Sequence, residues 1–152
     1  MQVYRLAKEK YIRDMSGTGA RIAGGRWNSR GRPVLYTASS RSLATVEYLV
    51  HVLYAIRPPN LKMACIEIPD SLSILKISIR ELPADWRRSP PPSQLQEKGD
   101  FWLDQGKSPV LFVPSAVVPG EHNILLNPLH PDMAKIRIAR IEDYDIDPRL
   151  IP

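Results

Sequence analysis

Apolar residues along this chain follow two rhythms: short continuous or alternating runs, and one stretch at helical spacing. Val3-Tyr4-Arg5-Leu6 reads as a short first strand, and Pro33-Val34-Leu35-Tyr36-Thr37-Ala38 as a second. Ser39 and Ser40 then offer side-chain oxygens that cap a helix start. Ser42 to Ile56 follows without a Gly or Pro, and Leu43, Val46, Leu49, Val50, Leu53 and Tyr54 recur as one helix face. Leu61 to Ile68 and Leu75 to Ile79 are further β-rich runs. Ser93 to Gln105 reads as a second helix, with Gly99 as a weak point inside it. Pro109 to Pro114 reads as a buried strand, and Ile124 to Asn127 and Ile136 to Ile141 complete the β content. Strands outnumber helices and do not alternate with them, which predicts an α+β fold and not a doubly wound sheet.

Two stretches break the rhythm. Residues 15–33 hold five of the eight glycines together with Ser16, Thr18, Asn28, Ser29 and Pro33, which predicts a long ordered loop. A loop of that length inside a compact domain is usually functional, and Trp27 and Ile22 argue that it is anchored. Leu82 to Pro92 is a Pro-rich connector. Too little chain lies on either side of it for two independent cores, so it reads as an excursion within one domain, 1–152.

Composition narrows the class. At 152 residues, 43% hydrophobic and 24% charged, the chain is an ordinary globular domain that needs no disulfide or metal staple. Its one cysteine, Cys65, lies in an apolar run, where a core thiol and a reducing compartment are expected. The first twenty residues lack the apolar core of a signal peptide, and no run reaches the ~18–20 residues of a membrane span. The net charge of +5 favours an anionic partner. Lys and Arg are scattered, which argues against a dedicated nucleic-acid groove.

Candidate chemistry concentrates in three places. Glu47 sits about 40° from Leu43 and about 60° from Val50 on a helical wheel, at the margin of the apolar stripe. An ionised carboxylate there is costly unless it is paired or poised for use. Arg26 follows Gly24-Gly25, where the backbone can approach a ligand closely and the guanidinium can fork onto a phosphate. A surface salt bridge is the competing role for that arginine. Trp27 is expected to anchor the loop, and Asn28 to cap the turn or contact a ligand. Tyr36 lies on the strand leading to the Glu47 helix, where its ring is either core or a platform for a flat heterocycle. Ser115 follows a buried strand end. No Gly-x-Ser-x-Gly elbow surrounds it, so a hydrogen bond that orients Glu47 or a substrate amide suits it better than a nucleophilic role. His122 and His130 lack partners at metal-ligand spacing, and neither a Walker loop nor a Gly-x-Gly-x-x-Gly fingerprint is present. No metal or resident cofactor is expected.

Together these segments resemble the RES-domain family, the toxin halves of Xre–RES toxin–antitoxin pairs. The resembling segments are Gly17-Thr18-Gly19-Ala20 with Gly24 to Asn28, Tyr36-Thr37-Ala38 with Leu43 to Glu47, and Val113 to Pro119 with Asn123 to Pro128 and His130-Pro131. They occur in family order across residues 17–131. The resemblance implies an ADP-ribosyltransferase-like α+β fold of mostly antiparallel strands, NAD as substrate, and a bacterial cytoplasmic setting. It maps the family Arg, Tyr, Glu and Ser onto Arg26, Tyr36, Glu47 and Ser115. It extends NAD contacts to Trp27, Asn28 and Asn127. It further implies an Xre-type antitoxin that occludes the site and through which any DNA contact is indirect. The chemistry of those residues agrees with cleavage of the nicotinamide–ribose bond: a carboxylate near a cationic sugar, a cation for the pyrophosphate and an aromatic ring. Water, phosphate or a protein side chain could intercept the sugar. Two other classes remain open at this stage. One is a basic nucleic-acid-binding toxin, supported by Arg21, Arg26, Arg30 and Arg32 in one loop, and the other is a non-catalytic nucleotide-binding module.

Overall fold

In a computed structural model, which describes residues 1–52 and 60–151, the β-rich runs assemble into one sheet. The elements in chain order are β1 (Gln2–Lys8), α1 (Glu9–Ile12), α2 (Thr18–Ala23), β2 (Leu35–Ala38) and α3 (Arg41–Leu49). There follow β3 (Leu61–Glu67), β4 (Ile74–Lys76), α4 (Ser93–Gln105), β5 (Val110–Pro114), β6 (His122–Leu126) and β7 (Arg137–Asp143). The seven strands lie in the order β4-β5-β6-β2-β1-β3-β7, and only the β4–β5 pair is parallel among the described residues. This is the expected α+β class, although helices separate β1, β2 and β3 along the chain: β1 pairs antiparallel with both β2 and β3, where a doubly wound fold would make parallel pairs.

Period-two alternation sorts the sheet into two faces. Val3, Ala7, Leu35, Ala64, Ile66, Val110, Ile124 and Leu126 pack on one face. The opposite face carries two separate clusters. Trp27, Leu95 and Trp102 cover Leu111, Val113 and Leu125, while α3 lays Leu43 and Ala44 over Leu6, Ala38 and Met63. Tyr36 packs against the first of these clusters and Ala38 belongs to the second, although they stand two residues apart on the same side of β2. The seam between the clusters therefore crosses the C-terminal half of β2. Cys65 is buried and free.

Several boundaries differ from expectation for local reasons. The loop at 15–33 contains α2, because its glycines bracket a helical turn instead of excluding one: Gly17 stands at its N-cap and Gly24 at its C-cap. α3 is capped by the Ser40 hydroxyl, which accepts the Leu43 N–H at 3.0 Å. It ends at Leu49, where the expected apolar face leaves the sheet and Val50 is exposed. The last expected helical positions, 53–56, lie outside the described residues. The run at 75–79 is shorter in strand than expected, since β4 stops at Lys76 and a 3-10 turn, Ile79–Glu81, follows. α4 spans the whole of its expected range despite Gly99. Among the described residues no helix is long and apolar enough to cross a membrane, and no group of three or more His, Cys, Asp or Glu could hold a metal ion.

Candidate active site

The seam places four distant segments at one end of the sheet. Register does most of this work. Ala38 at the end of β2 stands opposite Asn123 at the start of β6, and Asn123 in turn stands opposite Val113 near the end of β5. Ser115 follows β5 directly, and α3 leaves β2 after a two-residue turn and carries Glu47 back over this end.

Glu47 is held there by two donors on a single oxygen. The Ser115 hydroxyl donates to Glu47 Oε1 at 2.8 Å, and the Asn123 amide nitrogen donates to the same atom at 2.7 Å. Ser115 is buried, and its oxygen also accepts the N–H groups of Val117 and Val118 at 3.1 and 3.0 Å. A hydroxyl that accepts two backbone N–H groups has one proton left, and here that proton points to the carboxylate. Among the described residues Oε2 accepts no hydrogen bond, and it is not sealed from solvent. The carboxylate thus has one anchored oxygen and one left open. Asn123 did not stand out in the sequence as a site residue. Its signal is a polar side chain at an inward position of a strand that otherwise runs apolar through Ile124, Leu125 and Leu126.

Arg26, Trp27, Asn28 and Tyr36 form a second constellation. The Tyr36 hydroxyl donates to Asn28 Oδ1 at 2.7 Å and accepts the Trp27 N–H at 3.1 Å. Burial pushes the Tyr36 phenol well above its ordinary range, although the Trp27 N–H pulls it the other way. Asn28 is fully buried, and its amide nitrogen donates to the carbonyls of Ala20 and Arg32, both at 2.9 Å. Trp27 is equally buried. These three residues build the turn that carries Arg26; the Tyr36 and Asn28 side chains bond to each other and to the loop backbone. Gly25 is required at this turn, because a Cβ there would stand 2.6 Å from the Tyr36 hydroxyl oxygen.

Helix α4 fastens the turn from outside. Gln96 donates to the carbonyls of Gly25 and Asn28, Asp100 accepts the Ser29 hydroxyl at 2.5 Å, and Asp104 pairs with Arg32 at 2.6 Å. Gln96, Asp100 and Asp104 recur every four residues, so one stripe of the helix grips the loop. Gly99 lies beside that stripe and lets the Trp27 carbonyl reach the helix backbone.

Arg26 points toward the Pro-rich excursion. Its Nη1 donates to the Trp86 carbonyl at 2.6 Å, and both terminal nitrogens donate to the Arg88 carbonyl at 3.2 Å. Desolvation lowers the guanidinium's pKa, while the nearby charge of Glu47 raises it. Arg26 and Glu47 therefore feel each other across the seam without an ion pair. Asn127 is not brought to this cluster. It lies beyond the far end of β6 from Asn123, accepts the Leu129 N–H through Oδ1, and lines a separate cavity of about 150 Å³ with Arg32, Leu103 and His130.

Since both donors act on one oxygen, their removal should not be additive. Ser115→Ala and Asn123→Ala should each lower turnover by roughly 10- to 100-fold, the scale of a charge-assisted bond. The double variant should lose less than the product of the two. Steady-state rates for the three variants check this, and full additivity would count against a shared carboxylate partner.

Comparison with known proteins supports the fold and the grouping. The model of the RES domain matches residues 2–147. The chain is 41% identical over 153 residues to "Toxin Res" of Photorhabdus laumondii, covering 99% of this chain and 97% of that protein. It is 39% identical over 140 residues to the "Prs ADP-ribosylating toxin" of Sphingobium sp. strain YBL2, covering 91% of this chain and 87% of that one. A chain of the M. tuberculosis MbcT–MbcA toxin–antitoxin complex superposes with a TM-score of 0.74 at 19% identity, covering 99% of this chain and 86% of its own. The chain therefore shares the fold of that protein. With a family match over nearly its whole length and relatives near 40% identity, the chain belongs to the RES domain family.

Proposed function

We propose that this protein is a toxin that binds NAD and cleaves its nicotinamide–ribose bond at the Glu47 seam. The observation that carries the reading is the anchored carboxylate: one oxygen of Glu47 fixed by Ser115 and Asn123, the other without a protein donor among the described residues, with the Arg26 cation near enough to feel its charge. In this reaction the bond between ribose C1′ and the ring nitrogen breaks, and its electron pair leaves with the nitrogen. The pyridinium charge is thereby neutralised, so nicotinamide departs without needing a proton. The ribose is left as an oxocarbenium-like cation. Glu47 Oε2 stabilises that charge and holds a ribose hydroxyl, and a preorganised group of this kind acts strongly in a water-poor site. Arg26 attracts the pyrophosphate. The Tyr36 ring stands at the seam, but its hydroxyl is committed to the Arg26 turn. Tyr36 thus acts on binding through Arg26, as do Trp27 and Asn28.

The acceptor decides the outcome. Water or phosphate adds to C1′ and loses a proton, which depletes NAD. A side chain of a target protein gives ADP-ribosylation instead, a second reading favoured by the name of the Sphingobium relative. A nucleic-acid role has less support, since Arg32 of the basic loop pairs with Asp104 and Arg26 turns inward to backbone carbonyls. The toxin–antitoxin origin of the structural neighbour supports a cognate protein that covers the seam.

Incubating purified protein with NAD, with and without phosphate, tests this reading. Nicotinamide release is expected in both, and the ribose product identifies the acceptor. If nicotinamide appears only with a protein present that becomes labelled, the transferase reading replaces depletion. No release under any of these conditions overturns cleavage. Arg26→Ala should weaken NAD binding by roughly 10-fold or more, and Arg26→Lys should restore only part of it because the fork is lost. Calorimetry with NAD measures both, and unchanged affinity in both variants would remove Arg26 from the site.

A further inference from the structure

The Pro-rich excursion, silent in the sequence, meets the site twice. Its Trp86 and Arg88 carbonyls hold the Arg26 guanidinium. Between them, Arg87 sends its side chain to the other wall, where Nε donates to the Ala116 carbonyl at 3.1 Å. Ala116 follows Ser115, which holds Glu47. Arg26, the 86–88 backbone, Arg87, Ala116, Ser115 and Glu47 thus form a chain of contacts around the seam.

Charge along this chain is unevenly settled. Arg88 is neutralised by Asp85 at 3.1 Å. Arg26 and Arg87 donate only to neutral carbonyls among the described residues, and neither makes an ion pair there. Arg87 spends Nε on Ala116, and its two terminal nitrogens have no protein acceptor among the described residues. A guanidinium fixed at Nε with its terminal pair bare is arranged for a forked bond to an oxyanion. Arg26 and Arg87 thus bring to the seam two cations that make no ion pair among the described residues. NAD carries the complement: one negative charge on each phosphoryl group and one positive charge on the nicotinamide ring.

We infer that Arg87 is a second substrate-binding cation, placed at the rim to take one phosphoryl group of a dinucleotide pyrophosphate while Arg26 takes the other. This rests on the proposed NAD reading and names the part of the substrate it concerns. The excursion is then a wall of the binding site, and its carbonyls keep Arg26 charged and aimed.

ADP-ribose tests the inference, because it keeps the pyrophosphate and lacks the scissile bond. Calorimetric titration of the full chain should show Arg87→Ala binding ADP-ribose roughly 10- to 100-fold more weakly than the unaltered protein, the scale of losing a hydrogen bond to a charged group. Arg87→Lys should recover part of that loss. Arg80→Ala, an arginine of the preceding 3-10 turn, should bind as the unaltered protein does, which separates a specific contact from loss of net charge. Melting temperatures should be equal across the set, since the Arg87 side chain is exposed. Unchanged affinity in Arg87→Ala, or a loss shared equally by Arg80→Ala, overturns the assignment. So does a loss that comes with a matching fall in melting temperature. If the unaltered protein binds ADP-ribose yet releases no nicotinamide from NAD, cleavage fails while the Arg87 comparison still decides this inference. If it does not bind ADP-ribose, this inference fails, while nicotinamide release still decides cleavage.

Discussion

Glu47→Gln should lower nicotinamide release by roughly 100-fold or more while leaving the fold intact and weakening ADP-ribose binding far less. The geometry makes this substitution unusually clean. Both protein donors, Ser115 Oγ and Asn123 Nδ2, meet the same oxygen. The amide oxygen of glutamine can occupy that position and accept both bonds. Its NH2 then takes the place of Oε2, the oxygen without a protein donor among the described residues. Only the negative charge toward the ribose is lost, together with the ability to accept a ribose hydroxyl there. Paired measurements of melting temperature, ADP-ribose binding and nicotinamide release read these effects separately. Near-normal turnover in a folded Glu47→Gln variant would remove the carboxylate from the chemistry.

Gly99→Ala should destabilise the protein and weaken activity together, although the residue lies on a helix that touches no part of the proposed substrate. A Cβ at Gly99 would stand 1.7 Å from the Trp27 carbonyl oxygen and 2.7 Å from its carbon. The obstacle is backbone and cannot rotate away, so α4 and the Arg26 turn must separate. Replacing a helical glycine by alanine ordinarily gains about 1 kcal/mol. Overpacking ordinarily costs about 1–3 kcal/mol, occasionally more, and a clash this deep belongs at the upper end. A fall in melting temperature of about 5–10 °C is expected for a chain of this size. Weaker NAD binding should accompany it, because the displaced backbone is the one that aims Arg26. Thermal melting and calorimetry check the pair, and an unchanged melting temperature would show that the turn does not rest on the helix as described.

The elements that periodicity can reveal were legible in the chain. The β-rich runs, the two longer helices and the α+β class follow from burial patterns that repeat every two or every 3.6 residues. α2 was hidden because its glycines serve as caps, and glycine density alone does not distinguish a capped turn from a loop. Glu47 stood out because a carboxylate at an apolar margin is costly, but periodicity says nothing about what relieves the cost. The relief comes from Ser115 and Asn123, and it depends on strand register across β2, β6 and β5. The same dependence explains Asn127: it sits four residues from Asn123, which on a strand means the opposite end of the sheet. The roles of Arg87 and of the Gln96, Asp100 and Asp104 stripe were invisible for a related reason. Each acts on a loop remote in sequence, and no local pattern encodes which loop that is.

The order in which the seam is assembled bears on how such a protein is made. A growing chain presents Glu47 early, yet Ser115 and Asn123 are added only after three further strands and helix α4 have been synthesised. β6 lies between β2 and β5, so the sheet near the carboxylate has a missing central strand until that point. Incomplete chains, whether paused in translation or cut short, therefore carry the carboxylate without either of its anchors. They should be harmless to the cell that makes them. No chain that stops before Asn123 can carry the doubly anchored carboxylate, so the site can form only once most of the protein has been made.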